Sequence, residues 1–167
     1  MRLGTLRGWL IVGIAASVLS GCGFQLRGGA DLPNVDSIRV NAANASMRDE
    51  LAVFLQDGGA RVVRDADSLV DAVLTVSGEA FDRRVLSVDP STGKAREYEL
   101  AYTVNFAMVD GKGKPMVDQQ SIRLIRDFVF DEDAVIGKSR EENVLRDEMR
   151  RDAMQQIIRR LRASLGA

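Results

Sequence analysis

The chain contains no histidine and one cysteine in 167 residues, so the side chains able to do chemistry form a short catalogue. A His-based acid/base pair, a Ser-His or Cys-His nucleophile, a zinc cluster and an internal disulfide are all excluded. The carboxylates gather most densely at Asp131, Glu132 and Asp133. Such a run between a strand and a helix is ordinarily a solvated loop that suits a helix N-terminus. It lacks the glycine and distal glutamate of an EF-hand loop, and no S-x-x-K hydrolase motif is present. These residues point to a protein that is not an enzyme and needs no cofactor or metal. Two groups of cations remain: Lys138 near the start of the last helix, and Arg83, Arg84, Lys94 and Arg96 around a hairpin. The first reading of that hairpin cluster is solubility and edge protection. The formal net charge of −1 carries no basic excess that would suggest a nucleic-acid partner.

The lone thiol has a telling context. Arg2 and Arg7 precede Trp9 to Leu19, an uncharged apolar run of 11 residues. That is short of the roughly 20 residues of a membrane span but right for the apolar region of a signal peptide. The run ends in Leu19-Ser20-Gly21-Cys22, which resembles a bacterial lipobox. The resemblance implies cleavage after Gly21, a thioether-linked diacylglycerol on Cys22 and acylation of the new amino group. Gly23, in the place where inner-membrane lipoproteins typically carry Asp, is compatible with export to the outer membrane. The expected organisation is therefore a lipoprotein signal peptide over 1–21, a lipidated tether over 22–34 and one domain over 35–167. Cleavage leaves 146 residues with 21 basic and 24 acidic side chains. A domain of that size buries about 68% of its unfolded surface, enough for one core.

The elements that must position these residues follow from periodicity. Val35 to Ala42 reads as a strand. Asn44 to Asp57 reads as a helix with Ser46 as N-cap, Asp49 at the capping-box position, and Met47, Leu51, Phe54 and Leu55 on one face, stopped by Gly58-Gly59. Ala60 to Val63 is a candidate short strand. Ala72, Leu74 and Val76 open a long strand signal, with Gly78 and Ala80 marking a bulge before Phe81 to Val88. Asp89 to Gly93 turns the chain. Tyr98, Leu100, Tyr102, Val104, Phe106 and Met108 form an unbroken period-2 face. After the turn at Asp110 to Gly113, Ile122, Leu124, Phe128 and Phe130 share a face that Arg126 interrupts. These three strands should make an antiparallel meander whose apolar face needs a cover. Ser139 to Glu142 reads as a capping box, and Leu145, Met149, Ala153, Ile157, Leu161 and Leu165 follow at helical spacing, flanked by Val144, Met154 and Ile158. The arginines of this helix read as a solvated face with acidic partners nearby. The expected fold is α+β: a two-layer sandwich with two helices on one face of a four-stranded, mostly antiparallel sheet.

The opening Cys22-Gly23-Phe24-Gln25-Leu26-Arg27-Gly28 resembles the Cys-Gly-aromatic-x-Leu-Arg start of the LptE family of LPS-assembly lipoproteins. Glu97-Tyr98 with Val104-Asn105, Arg126-Asp127-Phe128 and the long last helix agree with that family in order and spacing. The resemblance spans Cys22 to Leu165. It implies an outer-membrane lipoprotein that plugs and stabilises the LptD β-barrel and assists lipopolysaccharide assembly. It also implies lipopolysaccharide contacts through Lys138 and, at the hairpin, Lys94 and Arg96. A lysine just before a helix N-terminus suits a lipid A phosphate, although Asp131 to Asp133 oppose it. The alternative is a membrane-anchored periplasmic adaptor or carrier of another ligand, which would need a concave apolar pocket.

Overall fold

The computed structural model describes residues 32–129 and 135–166, with the side chains of 135–139 excepted. The signal peptide, Cys22, Phe130 and the Asp131 to Asp133 run lie outside the described residues. Seven elements follow in order: β1 (Ser37–Ala42), α1 (Ala45–Asp57), β2 (Arg61–Val62), β3 (Ala72–Val88), β4 (Ala95–Asp110), β5 (Pro115–Val129) and α2 (Val135–Leu165).

The sheet is five-stranded and mixed, in the order β2-β1-β3-β4-β5, rather than four-stranded and mostly antiparallel. The expected meander is present: β3, β4 and β5 pair antiparallel, Phe81↔Tyr102↔Leu124 being one rung. The departure lies at the other edge. β1 runs parallel to β2 through Ser37↔Arg61 and Ile38↔Val62, and parallel to β3 from Ile38↔Ala72 to Ala42↔Val76. Parallel neighbours need a crossover, which α1 supplies between β1 and β2. The two-residue β2 is the candidate strand at Ala60 to Val63, too short for alternation to reveal.

Helix boundaries differ by a few residues, with physical causes. Asn44, not Ser46, caps α1: its Oδ1 accepts the Ser46 N–H at 2.9 Å, while the Ser46 hydroxyl donates to Glu50 at 3.0 Å. The helix α2 starts at Val135, so the Ser139 capping box lies inside it and Lys138 sits in its first turn rather than before it. Once backbone bonds close a turn upstream, a mid-helix serine has no orphan amide to cap.

The core lies between the helices and one face of the sheet. Leu51, Leu55, Leu74, Leu100, Tyr102, Val104, Ile122, Met149, Ile157 and Leu161 are fully buried there. The expected faces of both helices and of β4 supply it, although Val144 stays exposed. Leu32 is buried as well. Pro33 lies next to Gly166, so the described chain enters and leaves at one end of the sheet, where β3 starts.

The bulge at Gly78 is where the layers are tied. Gly78 has a φ of 64°, and a Cβ there would lie 2.6 Å from the Asn105 amide nitrogen. The register shifts between Ser77 and Ala80. In the bulge, Glu79 Oε1 accepts from Arg150 Nε at 2.7 Å and from the Tyr102 hydroxyl at 3.2 Å, and Oε2 accepts from Asn44 Nδ2 at 3.3 Å. One carboxylate thus joins α2, β4 and the cap of α1. Burial, and then the neighbouring Glu79 charge, push the Tyr102 hydroxyl well above its usual pKa, so it remains a donor. Phe81 packs against Tyr102 with ring centroids 4.4 Å apart and planes tilted by 41°, and the Arg146 and Arg150 guanidinium groups lie over Phe81 at 5.2 and 5.5 Å. Arg150 is therefore a buried-side anchor and departs from the solvated face expected of the helix.

Candidate functional site

The three-stranded part of the sheet outruns the rest. β1 accompanies β3 only as far as Val76, and beyond it β3, β4 and β5 continue alone to the turn at Asp89 to Lys94. This turn lies at the far end of the molecule from Leu32 and Gly166. β5 ends at Val129, opposite Glu97, and α2 starts six positions later. The end of β5 and the hairpin carrying Lys94 and Arg96 thus share one tip. The backbone of Lys138, in the first turn of α2, follows directly; its side chain lies outside the described residues.

The turn that carries Lys94 is held by a carboxylate. Asp89 Oδ1 accepts from the Ser91 amide at 2.8 Å, the Thr92 amide at 3.1 Å and the Ser91 hydroxyl at 2.5 Å. Backbone bonds from Asp89 N–H to Lys94 O and from Gly93 N–H to Asp89 O, each 2.8 Å, close it. The Ser91 hydroxyl bond, followed by the two amides, holds the Asp89 carboxyl down at about 2. Its folded pKa lies below the unfolded one, so its contribution is complete above the ordinary carboxylate range and disappears as pH falls through about 2. Asp89→Ala is expected to speed amide hydrogen exchange at Ser91 and Thr92 by about tenfold, the scale of a charge-assisted bond. The wild-type amides should show the same loss on acidification, and exchange unchanged in the variant refutes the assignment.

Most of the tip's cations are engaged. Arg84 pairs with the nearly buried Glu99 at 2.8 Å, and Arg83 pairs with Glu142 of α2 at 3.1 Å while lying 4.7 Å from the Tyr98 ring centroid. Arg146 pairs with the same Glu142 at 2.7 Å. The Arg83 pair ties the hairpin to α2, and the Arg84 pair joins the hairpin's own two strands. Arg96 and Lys94 are exposed.

Sequence reasoning missed what lies between the cations. Val85, Leu86, Val88 and Val129 are each 43–55% exposed at the tip. Leu86 sits where the register slips between Val85 and Ser87. It lines a hollow of about 200 Å³ with Glu97, Asp127, Phe128 and Val129. The signal was present as Val85-Leu86-x-Val88, an apolar run that breaks alternation and gives both faces of the strand apolar residues. The tip is therefore amphiphilic: Leu86 and Val129 stand beside the carboxylates of Glu97 and Asp127, Val85 is exposed on the opposite face, and Lys94 and Arg96 are exposed on the adjoining hairpin. Among the described residues no helix is long and apolar enough to cross a membrane.

Comparison with known proteins agrees along the chain. The family model described as "LptE: Lipopolysaccharide-assembly" matches residues 35–161. The chain is 27% identical over 159 residues to the LPS-assembly lipoprotein LptE of Pectobacterium atrosepticum, covering 91% of this chain and 83% of that protein. A protein of the same name from Photorhabdus laumondii is 27% identical over 165 residues with the same coverages. Among solved structures, lipoprotein B from Nitrosomonas europaea superposes with a TM-score of 0.73 at 31% identity, covering 87% of this chain and 94% of that one. Rare lipoprotein B from Shewanella oneidensis gives 0.66 at 28% identity, covering 77% and 95%.

Proposed function

This chain belongs to the LptE lipopolysaccharide-assembly family, and from that premise we propose that it is a non-enzymatic outer-membrane lipoprotein that plugs and stabilises the LptD β-barrel. Its signal peptide, 1–21, is removed, Cys22 is lipidated, and the domain stands on the periplasmic side or within the barrel lumen while assisting lipopolysaccharide assembly in the outer leaflet. The observation that carries this reading is the family match over 35–161, which takes in nearly all the described fold. The lumen of a large barrel is polar and commonly holds a plug. The sheet face away from the helices supports such a role, for it presents Thr75, Ser77, Thr103, Asn105, Ser121 and Arg123, interspersed with the small Ala101 and Ala107 and the half-exposed Ile125.

Extraction of native outer membranes in mild detergent tests the barrel role. The chain is expected to co-purify with a large β-barrel protein, and elution as a lone monomer removes the plug reading. Lipopolysaccharide is proposed to meet the tip, with its phosphates against Lys138, Lys94 and Arg96 and its acyl chains beside Leu86 and Val129. Lys138→Asp is expected to weaken lipopolysaccharide binding on the order of tenfold, the worth of a charge-assisted bond. Its thermal midpoint should stay near wild type, since an acidic residue suits the first turn of a helix. Unchanged affinity removes Lys138 from the site.

A further inference from the structure

At the opposite edge of the sheet, the β2 ladder stops at Ile38 while β1 runs on to Ala42. The Ile38 carbonyl faces that edge, accepting from Val63 N–H at 2.9 Å. Backbone groups alternate sides along a strand, so Val40 and Ala42 turn theirs the same way, past the end of β2. Between α1 and the segment after β2 this edge becomes a cavity of about 320 Å³.

Three arginines from three separate segments line that cavity: Arg39 of β1, Arg48 of α1 and Arg64 after β2. One carboxylate, Asp49, is among the lining residues, 3.3 Å from Arg48 Nε. Asp65 stands nearby, with its carboxylate turned to the Ser68 hydroxyl at 2.7 Å and the Asp67 amide at 3.2 Å. Arg39 is partly committed, donating to the carbonyls of Asp65 and Ser68 and so holding the loop that shapes the cavity floor. Arg64 is exposed and makes no ion pair or side-chain hydrogen bond among the described residues. A second hollow, also of about 320 Å³, shares Val40, Asn41 and Arg48 with the first.

Convergent like charges work against folding, and nothing in the core requires Arg48 or Arg64. A concave wall focuses their field on whatever enters. We propose that this cleft binds a small phosphate monoester or diester, its phosphoryl oxygens against Arg48 and Arg64 and the Val40 edge amide as a further donor. A carboxylate offers two oxygens, which one guanidinium fork satisfies; forks from separate segments suit the several oxygens of a tetrahedral phosphate. The volume leaves room for a polar substituent of a few carbons beside the phosphate. The site uses none of Lys94, Arg96 and Lys138 and is independent of the tip's role.

The full-length lipidated protein in detergent micelles, titrated calorimetrically with glycerol 1-phosphate at fixed ionic strength, tests the cleft. One saturable site is expected, with inorganic phosphate competing. Arg48→Gln and Arg64→Gln should each weaken binding about tenfold, the scale of a charge-assisted bond. Arg123→Gln, on β5 away from the cleft, should leave it within about twofold. Both cleft side chains are exposed, and superposable circular-dichroism melts will establish that the variants fold. Reconstitution into phosphatidylcholine vesicles with or without phosphatidylglycerol separates the sources. Loss of glycerol 1-phosphate binding only with phosphatidylglycerol identifies a lipid headgroup, and equal binding in both identifies a soluble ester. Either result supports the phosphate site. Absence of saturable binding, or full binding by the Arg48→Gln/Arg64→Gln double variant, overturns it.

Discussion

A chain carrying Cys22→Ser, made in excess over any envelope partner, is expected to leave the membrane pellet for the soluble fraction. The thioether requires a sulfur nucleophile, the chain has a single cysteine, and a serine hydroxyl is a far weaker nucleophile at neutral pH. Each buried methylene of an acyl chain contributes about 0.8 kcal/mol, and one chain alone holds a protein only marginally. Three chains make release very slow, so losing them all should change the partition by several orders of magnitude. None of the described elements includes Cys22, so the domain should fold unchanged in the variant. Fractionation after a carbonate wash, with mass analysis of the N-terminal peptide, is the measurement. A variant that stays in the pellet, or a wild type whose thiol is unmodified, defeats the anchor.

Glu79→Ala should be the most damaging single change outside the apolar core. It removes the acceptor shared by Arg150, Tyr102 and Asn44, leaving a buried hydroxyl without its acceptor and a four-fifths-buried guanidinium with only the exposed Asp147 carboxylate, 3.0 Å away, to balance it. Orphaning one side of a largely buried, hydrogen-bonded pair costs about 2–4 kcal/mol. For a domain near 150 residues that is a fall in thermal midpoint of about 5–12 °C. The Glu79→Ala/Arg150→Ala double variant should lose clearly less than the sum of its parts, since the unpaired charge is removed as well. Strict additivity, or a loss below about 0.5 kcal/mol, shows that the layers are held by apolar contact alone.

Much of this architecture was legible because alternation and helical spacing are long-range signals. The six-residue face of β4, the Met149 to Leu161 stripe of α2 and the bulge at Gly78 all emerged where periodicity or a glycine announced them. The parallel edge did not, because two residues of β2 carry no period and the direction of β1 is set by a crossover rather than by its own side chains. The start of α2 at Val135 is not legible because Ser139 offers a good local capping box four residues later, and the backbone overrides it by closing an earlier turn. At the tip, Lys94 and Arg96 were visible as charges, but Arg83 and Arg84 proved to be fasteners. The cleft of Arg39, Arg48 and Arg64 was invisible, because these arginines belong to three successive segments with no shared period and meet only when the crossover folds.

The far turn and the point of entry stand at opposite ends of β3, whose 17 residues at about 3.3 Å each make a rod of roughly 55 Å. The hydrocarbon layer of a bilayer is about 30 Å thick. Held upright inside a barrel, as proposed above, with its lower end at one headgroup level, such a rod would carry its tip beyond the other leaflet, so a foot planted on one side of a membrane would leave the hand on the far side.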